Sequence, residues 1–151
     1  MDFELTPDQI ELRDAARKLA TEVFRDKADR WDRNEEYPEE NKRLLCELGY
    51  LGLSIDEEFG GSGRGLVDTY LVIEEIAKVD LATAIIVHEQ NVSPRIIATY
   101  GPPELRKRVI PKFITGELEI SIAWTEPEAG SDGAAITTTA ELHGDHYLVN
   151  G

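Results

Sequence analysis

The chain has 151 residues, 41% of them hydrophobic and 30% charged, which is the composition of a globular protein and excludes both a disordered tail and a membrane-embedded chain. Asp and Glu number 30 against 16 Lys and Arg, for a formal net charge of −14. Such a field repels a nucleic-acid backbone and an anionic bilayer, and no dense Lys/Arg block offsets it, so neither nucleic acid nor membrane is expected as a partner.

The first residues, MDFELTPDQIELRD, are acidic and lack a basic patch leading into an apolar stretch. That pattern predicts neither a secretory signal nor a mitochondrial presequence, and a cytoplasmic location is the expectation. A first helix follows: Thr6 is placed as N-cap, Pro7 at the first helical position and Gln9 where a capping-box partner belongs. Two apolar stripes run along it, Leu12, Ala16, Leu19 and Val23 on one and Ala20, Phe24, Ala28 and Trp31 on its neighbour. Pro38 opens a second helix carrying Leu44, Leu45 and Leu48, which Gly49 terminates. Cys46, the single cysteine, falls in this apolar run and reads as a buried core thiol; alone, it forms no disulfide within the chain.

Residues 51–63 are rich in glycine and acid and read as an irregular loop, with Asp56, Glu57 and Glu58 in solvent. A third helix after Gly65 places Tyr70, Ile73 and Ala77 on one face, and a fourth repeats the spacing with Leu81, Ala84, Ile85 and His88. His88 reads as a core or groove histidine. Pro94 starts a fifth helix and Pro103 a sixth, lined by Leu105, Val109 and Phe113 and expected to kink or restart at Pro111. The period then changes. Ile120, Ile122 and Trp124 alternate with Ser121, Ala123 and Thr125, as in a strand; residues 136–142 (ITTTAEL) read as a second strand, 143–145 as a turn and 146–149 as the return strand. His143, Asp145 and His146 straddle that turn without a fourth ligand, so no metal site is assigned.

The chemistry concentrates in Ile122–Asp132. A strand that ends at Thr125 runs into a Pro/Gly loop, where Gly130 permits close approach of the backbone and Ser131 with its neighbouring amides offers donors to an anion. The alternative reading is an inter-strand loop that caps itself through Ser131 and Asp132. No P-loop, nucleophile elbow or Rossmann glycine fingerprint is present.

The run TEPEAGSD resembles the first signature of the acyl-CoA dehydrogenases. The resemblance extends in order along the chain: LTPDQIELRDAARKLATE is similar to the family's first helix, LGYLGLSIDEEFGGSG to its glycine-rich loop, GPPELRKRVIPKFITGE to the helix leading into the β domain, and GDHYLVNG to the strand and turn after the signature. Glu128 stands where the family often has a small residue.

The resemblance implies a mainly α fold, an N-terminal helical bundle over residues 1–117 followed by the first strands of a β-barrel-like middle domain from 118 to 151, with the C-terminal helical domain outside this chain. It implies FAD as cofactor, with Ile122, Ala123, Trp124, Thr125, Gly130 and Ser131 as cofactor-binding residues. Thr125 would hydrogen-bond the ring near its N5/O4 edge, Trp124 would pack beside it, and Gly130 and Ser131 would approach the phosphates. Ser131 would also lie near the acyl-CoA substrate, and the segment from His88 to Asn91 near the acyl pocket. The implied reaction removes the α-proton of an acyl-CoA thioester with a carboxylate and passes the β-hydrogen to the flavin as hydride, leaving a trans-2-enoyl-CoA. The family's general base lies in the C-terminal domain, so no catalytic residue is assigned here, and Glu126 and Glu128 read as local caps or surface charges. The implied partners are an electron-transfer flavoprotein or similar acceptor and further copies of the chain, tetrameric in full-length relatives. A non-catalytic partner of a split enzyme and an acyl-CoA oxidase-like flavin enzyme remain as alternatives.

Overall fold

The structure, a computed structural model, describes residues 3–151. It divides into two compact units, the first ending at Ser121 and the second running from Ile122 to Gly151.

In the first unit α1 spans Pro7–Leu19. Its capping box is formed in full: Thr6 Oγ1 accepts from the Gln9 amide at 3.2 Å, and Gln9 Oε1 accepts from the Thr6 amide at 3.1 Å. A π turn, Ala20–Phe24, then joins α1 to α2, Arg25–Asn34, with the Arg25 amide reaching back to Ala20 O. The wider turn rotates the helix face. Ala16, Ala20, Phe24 and Trp31 therefore enter the core, whereas Val23, expected on a buried stripe, is 43% exposed.

Helix α3 spans Glu39–Glu47 and buries Leu45; Gly49 ends it in the left-handed region at φ 78°. Cys46 is only partly buried, which corrects the expectation of a core thiol, and its Sγ lies 3.4 Å from Ile114 O. Helix α4, Leu66–Ala77, packs against both α1 and α5, Leu81–Val92. The buried faces are Thr69, Val72 and Ile76 on α4 and Thr83, Ala84, Ile86 and Val87 on α5. Tyr70, Leu81 and Ile85, expected inside, are about half exposed or more. Both helices are apolar around most of their circumference, and spacing alone cannot choose the inward side of such a helix.

Helix α6 spans Pro94–Tyr100 and α7 Pro103–Ile114. The helix does not restart at Pro111: α7 runs through it, and Pro111 O receives the Thr115 amide at 3.1 Å. Ile110 and Phe113 of α7 pack with Ile55, Phe59, Ile97, Leu118 and Ile120 as a second apolar cluster.

The segment read as an irregular loop is irregular, with Asp56, Glu57 and Glu58 exposed as expected, but its first residues lie in the core. Leu51, Leu53, Ser54 and Ile55 are buried, between short 3-10 turns at Tyr50–Gly52 and Glu57–Phe59. The chain folds back so that Ser62 and Gly63 donate to Gly52 O and Ile55 O, each at 2.8 Å, and Arg64 to Leu53 O at 2.7 Å. Gly61 is required there: a Cβ would lie 2.1 Å from Ile55 O.

In the second unit β1, Thr139–His143, pairs antiparallel with β2, His146–Asn150, in a register running from Thr139↔Asn150 to His143↔His146. The turn narrows to Gly144-Asp145, with Gly144 at φ 66°, as a two-residue hairpin with glycine first prefers. Residues 120–125 carry the alternation of a strand but form no ladder, since no described strand offers them an edge. Among the described residues no helix is long and apolar enough to cross a membrane.

Candidate functional site

Two local devices shape the loop after Thr125. Pro127 presets the backbone of a tight turn, closed by Glu126 N to Ala129 O at 2.9 Å and Ala129 N to Glu126 O at 3.2 Å. Ala129 is buried beneath it. Farther on, Asp132 Oδ1 accepts the Ala134 amide at 3.1 Å and caps the single turn Gly133–Ala135.

The Glu126 carboxylate reaches across the unit. Oε2 accepts from the Thr137 amide at 2.8 Å and the Thr137 hydroxyl at 2.9 Å; Oε1 accepts from the Thr138 amide at 3.0 Å and from the Thr138 hydroxyl. The Thr138 hydroxyl, and then the amide and hydroxyl of Thr137, hold this carboxyl down at about 2. The reading of Glu126 as a cap or surface charge named neither partner, because they lie eleven and twelve residues downstream.

Against these fixed points, the residues singled out from the sequence are exposed. Ile122 is 46% and Trp124 57% exposed, and Ala123, Thr125, Gly130 and Ser131 are also at the surface. The Trp124 indole lies over Gly133, its Cζ2 3.5 Å from the position of a Cβ there. The hydroxyls of Thr125 and Ser131, the Trp124 indole N–H, and the main-chain amides of Trp124, Thr125, Gly130 and Ser131 have no hydrogen-bond partner among the described residues. Of the self-capping that the alternative reading placed at Ser131 and Asp132, the part at Asp132 forms and the part at Ser131 does not. A Cβ at Gly130 would meet nothing within 4 Å, so the room beside it is open.

Chemically the loop offers a set of exposed donors and, at Trp124, an exposed indole. The carbonyl and imine rim of an isoalloxazine and the oxygens of a diphosphate are acceptors, and the donor set matches both. Of the local carboxylates, Glu126 takes four bonds from Thr137 and Thr138 and Asp132 one from Ala134, while Glu128 and Asp132 are both exposed.

In the first unit the segment from His88 to Asn91 divides. His88 is partly exposed, edge-on to Tyr70 at 6.1 Å between ring centroids, with Nδ1 3.1 Å from Glu89 Oε1. Gln90 and Asn91 are buried. Asn91 holds the folded-back segment: its Oδ1 accepts the Ser54 amide at 3.1 Å, its Nδ2 donates to Tyr50 O at 2.7 Å and Val87 O at 2.8 Å, and its carbonyl accepts the Ser54 hydroxyl at 2.9 Å. It is therefore a scaffold residue and not a substrate contact. The available signal was an amide side chain on the inward face of an apolar helix, opposite a segment whose own backbone needed partners.

A helical unit followed by a loop with exposed donors and a single hairpin defines a mainly α class of fold. Residues 6–117 match the profile of the family described as acyl-CoA dehydrogenase, N-terminal domain. The chain is 35% identical over 147 residues to isobutyryl-CoA dehydrogenase, mitochondrial, of Dictyostelium discoideum, covering 97% of this chain and 35% of that protein. It is 37% identical over 150 residues to 3-sulfinopropanoyl-CoA desulfinase of Variovorax paradoxus, covering 99% of this chain and 37% of the relative. Among solved structures, a glutaryl-coenzyme A dehydrogenase–glutaryl-CoA complex superposes with TM-score 0.88 at 36% identity, over 100% of this chain and 39% of that one. An FAD complex of PigA superposes with TM-score 0.86 at 27% identity, over 100% of this chain and 40% of that one.

The chain belongs to the acyl-CoA dehydrogenase family, whose members are FAD flavoproteins. It spans 35–40% of the length of these relatives.

Proposed function

We propose that this chain supplies one wall of the flavin and acyl-CoA site of an acyl-CoA-oxidising flavoenzyme. The observation that carries the reading is the set of donors of Trp124, Thr125, Gly130 and Ser131 that have no partner among the described residues, on a loop fixed by Glu126, Ala129 and Asp132. FAD, when bound, supplies the acceptor for a hydride from the β-carbon of the thioester. The Thr125 hydroxyl and amide donate to the ring rim, which favours electron density there. Trp124 would pack beside the ring and exclude water, while Ile122 and Ala123 would line the approach. Gly130 and Ser131 donate to the phosphates, and Ser131 also orients the thioester. The division of labour is that of a helical domain over residues 1–117 and the opening of a β domain over 118–151. In the assembled, cytoplasmic enzyme, a homo-oligomer, electrons pass on to an electron-transfer flavoprotein or a similar acceptor.

None of these assignments gives the chain a general base. Glu126 is occupied by four donors and Asp132 by a cap. The 151-residue chain by itself is therefore expected to bind FAD weakly and to leave it oxidised. The test is anaerobic mixing of the chain with FAD and isobutyryl-CoA or glutaryl-CoA, with absorbance and amide NMR followed together. Shifts at Trp124, Thr125, Gly130 and Ser131 without bleaching are predicted; bleaching with turnover, or shifts confined to other residues, contradicts the reading.

A second reading, a non-catalytic partner in a split or heteromeric enzyme, is favoured by the apolar surface of α4 and α5, where Val67 is 60% and Leu81 65% exposed. Nearby, a groove of about 500 Å³ is lined by Tyr37, Pro38, Ile85, Ile86 and Ile120 among others. On that reading light scattering shows self-association that a full-length family member suppresses.

A further inference from the structure

Glu126 follows Thr125 directly, and its two partners, Thr137 and Thr138, directly precede β1. Its carboxylate thus ties the start of the donor loop to the base of the hairpin, closing the intervening residues into a ring. The stereochemistry of the tie is demanding. Each oxygen takes the amide and the hydroxyl of a single threonine, Oε2 from Thr137 and Oε1 from Thr138. Only a carboxylate offers two acceptor oxygens and no donor. A glutamine would turn an NH2 group toward a main-chain N–H, and an aspartate would fall one methylene short.

The loop needs such a tie. It has one turn bond pair at Glu126–Ala129 and one cap at Asp132, and the donors of Thr125, Gly130 and Ser131 make no bonds among the described residues. Without the carboxylate, the position of Thr125 relative to Gly130 and Ser131 would be set by a free loop, and binding would carry the full cost of ordering it. Donors aimed at a rigid ring must be held to within about 0.5 Å to act together.

Resting on the flavin reading above, we infer that Glu126 is a positioning residue for the flavin: by gripping Thr137 and Thr138 it pre-sets the loop that presents Thr125, Gly130 and Ser131. It does not itself touch the cofactor. A staple that served the hairpin alone would leave flavin affinity unmoved when cut, and this gives the test its edge.

The experiment uses the ¹⁵N-labelled chain in native, E126Q and E128Q forms. It follows amide exchange at Thr137 and Thr138 and the FAD affinity read from shifts at residues 122–131. E126Q should accelerate exchange at both threonines and weaken FAD by about tenfold, the scale on which pre-organisation acts. E128Q should change neither. T138V removes one hydroxyl donor and keeps the charge; it should weaken FAD by a smaller factor, and it carries the test if E126Q unpairs β1 from β2. Faster exchange with unchanged FAD affinity would overturn the positioning role and leave the flavin reading standing. No FAD-dependent shift at residues 122–131 of the native chain would overturn the flavin reading and the positioning role with it.

Discussion

The two units of this chain solve the same problem in opposite ways. In the first, backbone groups withdrawn from water are answered from inside: Asn91 bonds Ser54, Tyr50 and Val87, in a unit whose apolar core includes Ala20, Phe24, Leu45, Leu51, Val72, Ile76 and Val87. In the second, every residue of β1 and β2 is exposed, and the fixed points are polar, a carboxylate gripping two threonines and an aspartate capping a turn. Apolar burial makes the first unit a scaffold. Polar ties with unspent donors beside them make the second a surface suited to a ligand. Stability changes should therefore be large in the first unit, and small but functionally visible in the second.

The largest expected effect is at Asn91. Asn91→Ala strands the Ser54 amide and the Tyr50 carbonyl in a buried place, at about 1–3 kcal/mol for each group. A loss of about 3–4 kcal/mol in urea denaturation is expected; a loss under 1 kcal/mol would mean that water takes over the role and the segment is not sealed.

Glu75 comes next. It is 4% exposed and meets Arg17 through two 3.0 Å bonds and Lys78 at 2.8 Å. The hydrogen bond from Arg17, then that from Lys78, holds its carboxyl at about 2 against an ordinary 4.5. A depressed folded-state value means the stabilisation is present above about pH 4.5 and is lost as pH falls through 2. Glu75→Gln should cost about 2–3 kcal/mol at pH 7, Arg17 being half exposed and so screened, and little by pH 2. A pH-independent difference would show that packing, and not charge, is what Glu75 contributes.

In the second unit Gly144→Ala puts a side chain on a residue at φ 66°, at about 1 kcal/mol. A two-stranded hairpin is marginal in water, so that change should unpair β1 from β2 by amide exchange while the denaturation midpoint of the helical unit stays within about 0.5 kcal/mol of the native value. A matching fall in both would erase the contrast. The smallest effect is the acid response of the Glu126 grip. The Thr137 and Thr138 amide shifts should hold above pH 4.5 and move as pH falls through about 2, with no accompanying loss of the helical unit's core. Movement centred near 4.5 would show that the grip does not persist in solution.

What the sequence disclosed follows the same division. The first capping box was legible because Thr6, Pro7 and Gln9 act within one turn of one another. The hairpin was legible because Gly144-Asp145 splits two β-branched and aromatic runs. The inward faces of α4 and α5 were not, because neighbours on both sides choose them, and the π turn at Ala20–Phe24 left no residue signature of its own. The strand predicted at 120–125 had the right alternation, but a ladder needs an edge, and none is offered here. At the site, the donors were named from a family pattern. Glu126 was read as a local cap or surface charge; it does cap main-chain amides, but those of Thr137 and Thr138, too far along the chain for a local motif to name.

The most direct measurement uses the chain's tryptophans, Trp31 and Trp124, the first 4% and the second 57% exposed. Titration of FAD into the Trp31→Phe variant, which leaves Trp124 as the sole emitter, should give saturable quenching, while the Trp124→Phe variant should respond only as free indole does. Equal quenching in both variants, or a linear response from Trp124, would contradict the claim that this loop lies against a flavin.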